Sequence, residues 1–153
     1  MKRTINTNLK EIELTRTYCQ GQELKPKGLW YAINNEWIEW CKNNADCWIK
    51  SGIIELEVDL SKMMIVETTE QLNGLFTKFN YELCEGIRYI DWHKMAQNYS
   101  GLEIRNYHGL KWANTIIDSG WFSSWDVSSG CIWDLSIIKS FSHYIYDLNI
   151  EHK

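Results

Sequence analysis

The chain lacks several features that mark secreted and membrane-spanning proteins. Its 153 residues include one proline, and no stretch approaches the roughly 20 consecutive apolar residues of a membrane span. Residues 1–8 contain no apolar run, so we expect no signal peptide, and we expect this polar segment to be frayed. Five cysteines, an odd number, without a secretory signal indicate reduced thiols and a cytoplasmic protein.

Motifs of several common enzyme classes are also missing. The sequence contains no Walker loop, no GxGxxG and no nucleophile elbow. It contains no CxxC pair, and the spacing from Cys41 to Cys47 is longer than structural zinc sites usually show, so we expect no metal. The net charge of −4 disfavours non-specific binding to nucleic acids or anionic membranes. It leaves room for a base or nucleotide held in a small pocket.

The pattern of apolar residues predicts an α+β fold with small, mainly antiparallel sheets and a few short helices. We predict a single domain over residues 9–153, because we find no repeat, linker or low-complexity tract. Period-two alternation and turn residues predict strands at 11–18, 29–33, 52–60, 63–66, 102–104, 121–126, 131–133 and 144–148. Capping residues and apolar faces predict helices at 36–43, 69–79 and 91–98, with a further helix possible at 111–117.

Aromatic residues are abundant, and the sequence has nine tryptophans. They are dense in residues 28–41, where a turn leads into a short aromatic strand and then a helix with Trp37 and Trp40 three residues apart. Indole rings bury a large apolar area but carry an N–H group that needs a partner. The corner is therefore either part of the hydrophobic core or a slot that stacks a flat ring.

Residues 27–32, with the sequence Lys-Gly-Leu-Trp-Tyr-Ala, followed by Trp40 and Cys41, carry a family resemblance. They resemble the Lys-Gly-Ile-Tyr-Phe-Ala motif of the poly(ADP-ribose)-polymerase-like and diphtheria-toxin-like ADP-ribosyltransferases. In that family, the aromatic strand and the helix after it form the wall on which the nicotinamide of NAD stacks. The strand pair predicted at 55–66 resembles a strand pair that is common in that fold.

The resemblance implies roles for particular residues. Trp30 and Tyr31 would stack the nicotinamide, and the implied NAD-binding set is completed by Gly28, Asn35 and Trp40. Arg16 would fill the first-strand position and engage phosphate or ribose, although no His stands near it. Asn34 and Asn35 occupy the position where the family often has Ser.

The carboxylate that the reaction needs is not fixed by a local motif. Cleavage of the nicotinamide–ribose bond passes through an oxocarbenium-like state, which a carboxylate stabilises. Glu103 is the first candidate, since a short strand after a helix–glycine turn would present it. Asp126 and Asp134 are its rivals.

Residues 121–134 form a second unusual segment, with small hydroxylated residues between three tryptophans. Ser128 and Ser129, with the backbone N–H groups near Gly130, are candidates for holding a phosphate or ribose. The alternative is a structural loop that Trp125 and Trp133 pin to the core.

Three functions remain open at this point. The first is an enzyme that resembles an ADP-ribosyltransferase and either transfers ADP-ribose from NAD to a macromolecular acceptor or hydrolyses NAD. The second is a non-catalytic module whose aromatic slot binds a nucleotide or sugar, such as a viral or phage protein that sequesters a nucleotide. The third is an interaction protein with an exposed aromatic patch.

Overall fold

A seven-stranded sheet forms the centre of the computed structural model, which describes residues 1–113 and 120–147. Along the sheet the strand order is β4-β7-β8-β2-β1-β3-β9, and all neighbours are antiparallel except β4 and β7. Its strands are β1 (Arg3–Asn6), β2 (Leu29–Ile33), β3 (Gly52–Val58), β4 (Met63–Val66), β7 (Gly101–Ile104), β8 (Ser129–Ile132) and β9 (Ile138–Ile145). A separate hairpin consists of β5 (Asn80–Cys84) and β6 (Ile87–Ile90).

Five short α-helices are present among the described residues. They are α1 (Glu36–Asn44), α2 (Thr69–Phe79), α3 (Trp92–Ala96), α4 (Tyr107–Ala113) and α5 (Gly120–Ser123). At the start of α2, Thr68 and Gln71 form a capping box, and Leu72, Leu75 and Phe79 bury one face of the helix. Within the described ranges, every helix falls short of the length and apolar character that crossing a membrane requires.

The predicted fold class is confirmed, as are several of its elements. The molecule is a mixed α+β protein with a mainly antiparallel sheet and few short helices. The strands at 29–33 and 63–66 and the helix at 69–79 form as predicted, and Asp91 caps α3. Of the possible helix at 111–117, residues 114–117 lie outside the described part of the chain, as does residue 148 of the last predicted strand.

The prediction of a frayed segment at residues 1–8 was wrong. Residues 3–6 form β1, which pairs with β2 on one side and β3 on the other, well inside the sheet. A polar strand is stable in this position because its side chains find partners: the Thr4 hydroxyl donates to the carbonyl of Asn34 at 2.7 Å. The polar composition of residues 1–8 was therefore not a sufficient reason to expect a frayed segment.

Two predicted strands were also wrong. Within residues 11–18, only Thr17 makes a β-bridge, to Asp134, and the apolar side chains of Ile12 and Leu14 pack against a core cluster without strand pairing. The alternating pattern therefore marks an apolar contact rather than a ladder of hydrogen bonds. In residues 121–126, a helical turn, α5, buries the adjacent Trp121 and Phe122 together, which a strand would direct to opposite faces.

The two faces of the sheet carry separate hydrophobic clusters. The first cluster includes Leu102, Ile104, residues of α2 to α5 and four buried tryptophans, and Trp30 packs at its edge. The second includes Tyr31, Ile33, Ile54 and Leu56. Because successive side chains of a strand point to opposite faces, Trp30 and Tyr31 belong to different layers of the molecule.

Gly130 lets the Tyr31 side chain cross its neighbouring strand. Tyr31 pairs with Gly130 in β8, and Gly130 pairs in turn with Glu103 in β7. The Tyr31 hydroxyl reaches over Gly130 to donate to the Glu103 carboxylate at 2.5 Å. A Cβ atom at position 130 would overlap the Tyr31 ring and hydroxyl. The glycine is therefore needed for a side-chain contact between strands that are not adjacent.

We expect Gly130→Ala to lower the free energy of unfolding by about 2 kcal/mol, because the added methyl group must displace the Tyr31 ring. Urea denaturation at neutral pH measures this. Gly74→Ala is the matched control, since Gly74 lies in α2 with nothing within 4 Å of its added Cβ. It should raise stability by about 0.5–1 kcal/mol. A Gly130→Ala protein as stable as wild type would contradict this account of the Tyr31 contact.

Candidate functional site

A cavity of about 400 Å³ lies on the Trp30 face of the sheet. Its floor is a row of residues on three adjacent strands, in which Thr4 pairs with Ala32 and Ala32 pairs with Ser129. Trp37 of α1 and the segment 125–127 before β8 complete the walls, together with Lys25. Its volume is in the range of small-molecule sites.

Three tryptophans are among the residues that line this cavity. Trp30 and Trp125 meet edge to face, with ring centroids 4.8 Å apart and an interplanar angle of 61°. Trp37 is the third. The Nε1–H group of Trp125 is buried and has no hydrogen-bond partner among the described residues. An unpaired buried donor is costly, so an acceptor that reached it would be stabilised.

Polar and charged groups surround the rings. The Lys25 ammonium lies 5.5 Å from the centroid of the Trp30 ring, within cation–π distance. Asp126, an exposed residue directly after Trp125 in the chain, also lines the cavity. Thr4, Asn6 and Ser129 add hydroxyl and amide groups. A mainly aromatic cavity with a few convergent polar groups is typical of a ligand site.

A second, more open cavity of about 490 Å³ lies on the other side of α1. Trp40 lines it and stacks on Trp37 of the first cavity, with centroids 5.1 Å apart and an interplanar angle of 9°. Val127 lines both cavities. The remaining lining is polar and comprises Asn35, Glu36, Glu39, Asn43, Asn44 and His108.

The opposite face of the sheet carries a buried charge network centred on Glu103, whose side chain has no exposed area. Arg3 donates to both carboxylate oxygens, from Nε to Oε2 at 2.6 Å and from Nη2 to Oε1 at 3.0 Å. The Nε of Arg105 donates to Oε1 at 2.7 Å, and the Tyr31 hydroxyl donates to Oε2. Arg105 also faces Glu67, at 3.7 Å. Both carboxylate oxygens therefore have two donors each.

The network controls the protonation of its members. Burial raises the pKa of Glu103, but the hydrogen bonds from Arg3, Tyr31 and Arg105 outweigh it, so the pKa lies below its ordinary value. Burial, reinforced by the adjacent Glu103 carboxylate, raises the pKa of Tyr31 well above its ordinary value. At neutral pH, Tyr31 is thus a neutral donor and Glu103 an ionised acceptor.

The structure brings some of the predicted binding residues together. Trp30, Tyr31 and Ser129 line the first cavity, although the Tyr31 hydroxyl is bound to Glu103. Asn35 and Trp40 line the second cavity. The predicted nicotinamide wall of Trp30 and Tyr31 together does not form as one surface, because the two side chains lie on opposite faces of the sheet.

Other predicted residues have contacts outside both cavities. The backbone of Gly28 lies against β8, where a Cβ would overlap the carbonyl of Ile132, and the Ser128 hydroxyl accepts from the backbone N–H of Tyr107. The Arg16 guanidinium lies over the Tyr18 ring at 4.2 Å. Arg16 is thus separate from the set that lines the first cavity.

The three candidate carboxylates are separated by the fold. Glu103 lies on the sheet face opposite the first cavity and is held by its network. Asp134 caps a short helical turn by accepting from the N–H and hydroxyl of Ser136. Asp126 is the one of the three that lines the first cavity.

Sequence reasoning missed the partners of Glu103 and part of the cavity lining. Arg3 lies in the segment expected to be frayed, and Arg105 follows β7 at a position with no motif. Thr4, Asn6 and Lys25 line the first cavity without a local signature. The β-branched pair Thr4 and Ile5 is the one local signal that could have indicated a strand there.

Comparison with known proteins leaves the family open. No protein-family model, no curated protein and no solved structure matches this chain. Within the described residues, no group of three or more His, Cys, Asp or Glu side chains could hold a metal ion. We therefore infer function from the geometry of the two cavities.

We expect the Glu103 network to make the protein less stable in acid. Since the pKa of Glu103 is lower in the folded than in the unfolded chain, its contribution is complete above the unfolded-state pKa. It is lost as the pH falls through the folded-state pKa. Glu103→Gln should cost about 3 kcal/mol at neutral pH and give a flatter dependence of stability on acid pH.

Urea denaturation over a series of pH values measures both effects. Glu11→Gln, at an exposed position, is the control and should behave as wild type. Parallel stability–pH curves for Glu103→Gln and wild type would refute the role of this carboxylate.

Proposed function

We propose that this protein binds a small ligand that combines a flat ring with an anionic group, with nucleotides as the ligand class. The observation that carries the proposal is the first cavity, where Trp30, Trp37 and Trp125 line a space of about 400 Å³ with a Lys25 ammonium beside Trp30. Stacking on an indole is tolerant of the particular base, because every base has a π-face.

The remaining groups of the cavity match the rest of such a ligand. The Lys25 ammonium supplies a charge for a phosphate. The hydroxyls of Thr4 and Ser129 already donate within the protein, to Asn34 and Val127, and retain lone pairs that accept from a ribose hydroxyl. These contacts would hold a ligand without changing it. A non-catalytic binding protein is therefore the first candidate.

One observation favours a second candidate, hydrolysis of NAD at the same site. Asp126 is the acidic residue among those that line the first cavity, and it directly follows Trp125 in the chain. In that reaction water attacks the anomeric carbon of the ribose and loses a proton to solvent, while the bond to nicotinamide breaks and nicotinamide leaves with the bonding electrons. A carboxylate beside the ribose stabilises the positive charge that develops. Glu103 is excluded from this role by its position on the opposite face.

We expect Trp30→Ala to weaken binding of AMP and NAD at least about tenfold, since stacking of a base on an aromatic ring contributes about 1–3 kcal/mol. Lys25→Met should weaken AMP but leave adenosine unchanged, because the lysine acts on the phosphate. Isothermal titration calorimetry measures these affinities without relying on tryptophan fluorescence.

Trp112→Ala is the matched control for the loss of an indole, because Trp112 is 86% exposed and lines neither cavity. It should bind AMP and NAD as wild type does. Failure of adenosine, AMP and NAD to bind the wild-type protein at millimolar concentration would remove nucleotides from the proposal.

For the hydrolytic candidate, we expect wild type to release nicotinamide from NAD and Asp126→Asn to reduce the rate at least about 100-fold, as removal of a charge-stabilising group does. Chromatography of free nicotinamide measures the release. Asp134→Asn, which alters a cap outside the first cavity, should retain the wild-type rate. NAD that binds and is recovered intact would eliminate hydrolysis and leave the binding function standing.

A further inference from the structure

The second cavity has a chemical character different from the first. Its one indole is Trp40, which packs beside Trp37 and Trp48, and the imidazole of His108 also lines the cavity. Because Trp37 already stacks nearly parallel on it, at most one face of the Trp40 ring is available to a ligand. The site therefore offers a single flat platform rather than a cage of several rings.

The polar groups around this platform suit hydroxyls. Three asparagines line the cavity; the Asn43 and Asn44 amide nitrogens donate to carbonyls of α1, which leaves their amide oxygens as acceptors. Glu36 and Glu39 lie in the first turn of α1, where the helix dipole stabilises their charge. Glu36 Oε2 accepts from the N–H of Ser128, and Glu39 Oε1 faces Lys42 at 3.1 Å. Each carboxylate has a second oxygen that can accept from a ligand.

The same lining disfavours two other ligand classes. Among the described residues that form it there is no Lys or Arg, and two carboxylates would repel a phosphate. A quaternary ammonium ion is bound best by several electron-rich rings around it, whereas this site has one indole. The two carboxylates would attract such a cation, but its methyl groups would not be enclosed by rings.

We propose that the second cavity is a binding site for a neutral sugar ring, seated on Trp40 and held by Glu36, Glu39 and the asparagines of α1. The C–H bonds on one face of a pyranose carry partial positive charge and match the negative face of an indole. Its hydroxyls donate to the carboxylates and amide oxygens. This inference does not depend on the ligand of the first cavity, and the two proposals can fail separately.

Nuclear magnetic resonance of the tryptophan indole N–H signals tests the site on the whole chain. The probes are the methyl β-glycosides of glucose, galactose and N-acetylglucosamine at millimolar concentration, with choline chloride and inorganic phosphate for comparison. We expect at least one sugar to shift the Trp40 signal, with no shift from choline or phosphate. No shift with any of the three sugars, or a Trp40 shift with choline or phosphate alone, would overturn the proposal.

Single substitutions test whether the Trp40 ring and the polar side chains around it bind the sugar. Trp40→Ala should weaken sugar binding at least about tenfold and Trp40→Phe should retain most of it, since Phe keeps a flat ring. Trp48→Ala, which removes another member of the aromatic cluster that does not line the cavity, should bind as wild type. Should Trp40→Ala not fold, Asn43→Leu at an exposed position supplies the same test, and unchanged sugar affinity in it would overturn the proposal.

The first cavity is the alternative location of the sugar. A loss of sugar affinity in Trp30→Ala without such a loss in Trp40→Ala would place the sugar there and overturn the proposal as well.

Discussion

The buried carboxylate of Glu103 is the interaction on which the arrangement of the central strands depends. It joins β7 to β2 through Tyr31 and to β1 through Arg3, and the Tyr31 side chain crosses β8 at Gly130. An ionised group without exposed area is stable only when its oxygens are fully paired, and four donors achieve this here. Because the partners come from residues 3, 31 and 105, the chain must bring distant segments together before the charge can be buried.

The same network positions the first cavity on the other side of the sheet. Strand β1 carries Arg3 on one face and Thr4 on the other, and β2 likewise carries Tyr31 and Trp30. Fixing β1 beside β2 through the Glu103 contacts therefore also fixes Thr4 and Ala32 as the floor of the aromatic cavity. The buried charge of Glu103 therefore lies on one face of the sheet, and the indole rings with Lys25 and Asp126, where we propose that a ligand binds, lie on the other. The motif that resembles ADP-ribosyltransferases lies at the same aromatic corner. The acidic residue that lines the cavity there is Asp126, whereas Glu103 lies on the opposite face of the sheet.

Helix α1 connects the two proposed sites. Trp37 and Trp40 lie three residues apart, so their rings stack while each lines a different cavity. One turn of α1 thus places an indole ring in each of the two proposed binding sites. The flanking residues then set the ligand class: a cation beside Trp30 suits an anionic nucleotide, and carboxylates and amides beside Trp40 suit a neutral sugar.

The sequence by itself determined the local elements with strong signals. The capping box and apolar face of α2, the aromatic strand β2 and the α+β class follow from residue type and spacing alone. It also pointed to Trp30, Trp40, Ser129 and Asp126 as candidates, because indoles and small polar residues crowd two short segments. Tertiary structure alone decided that Arg3 belongs to a central strand, that Glu103 is buried with it, and that Trp30 and Tyr31 serve different layers. The physical reason is that a side chain's partner across a sheet is set by strand order and register, which long-range pairing fixes and local pattern does not contain.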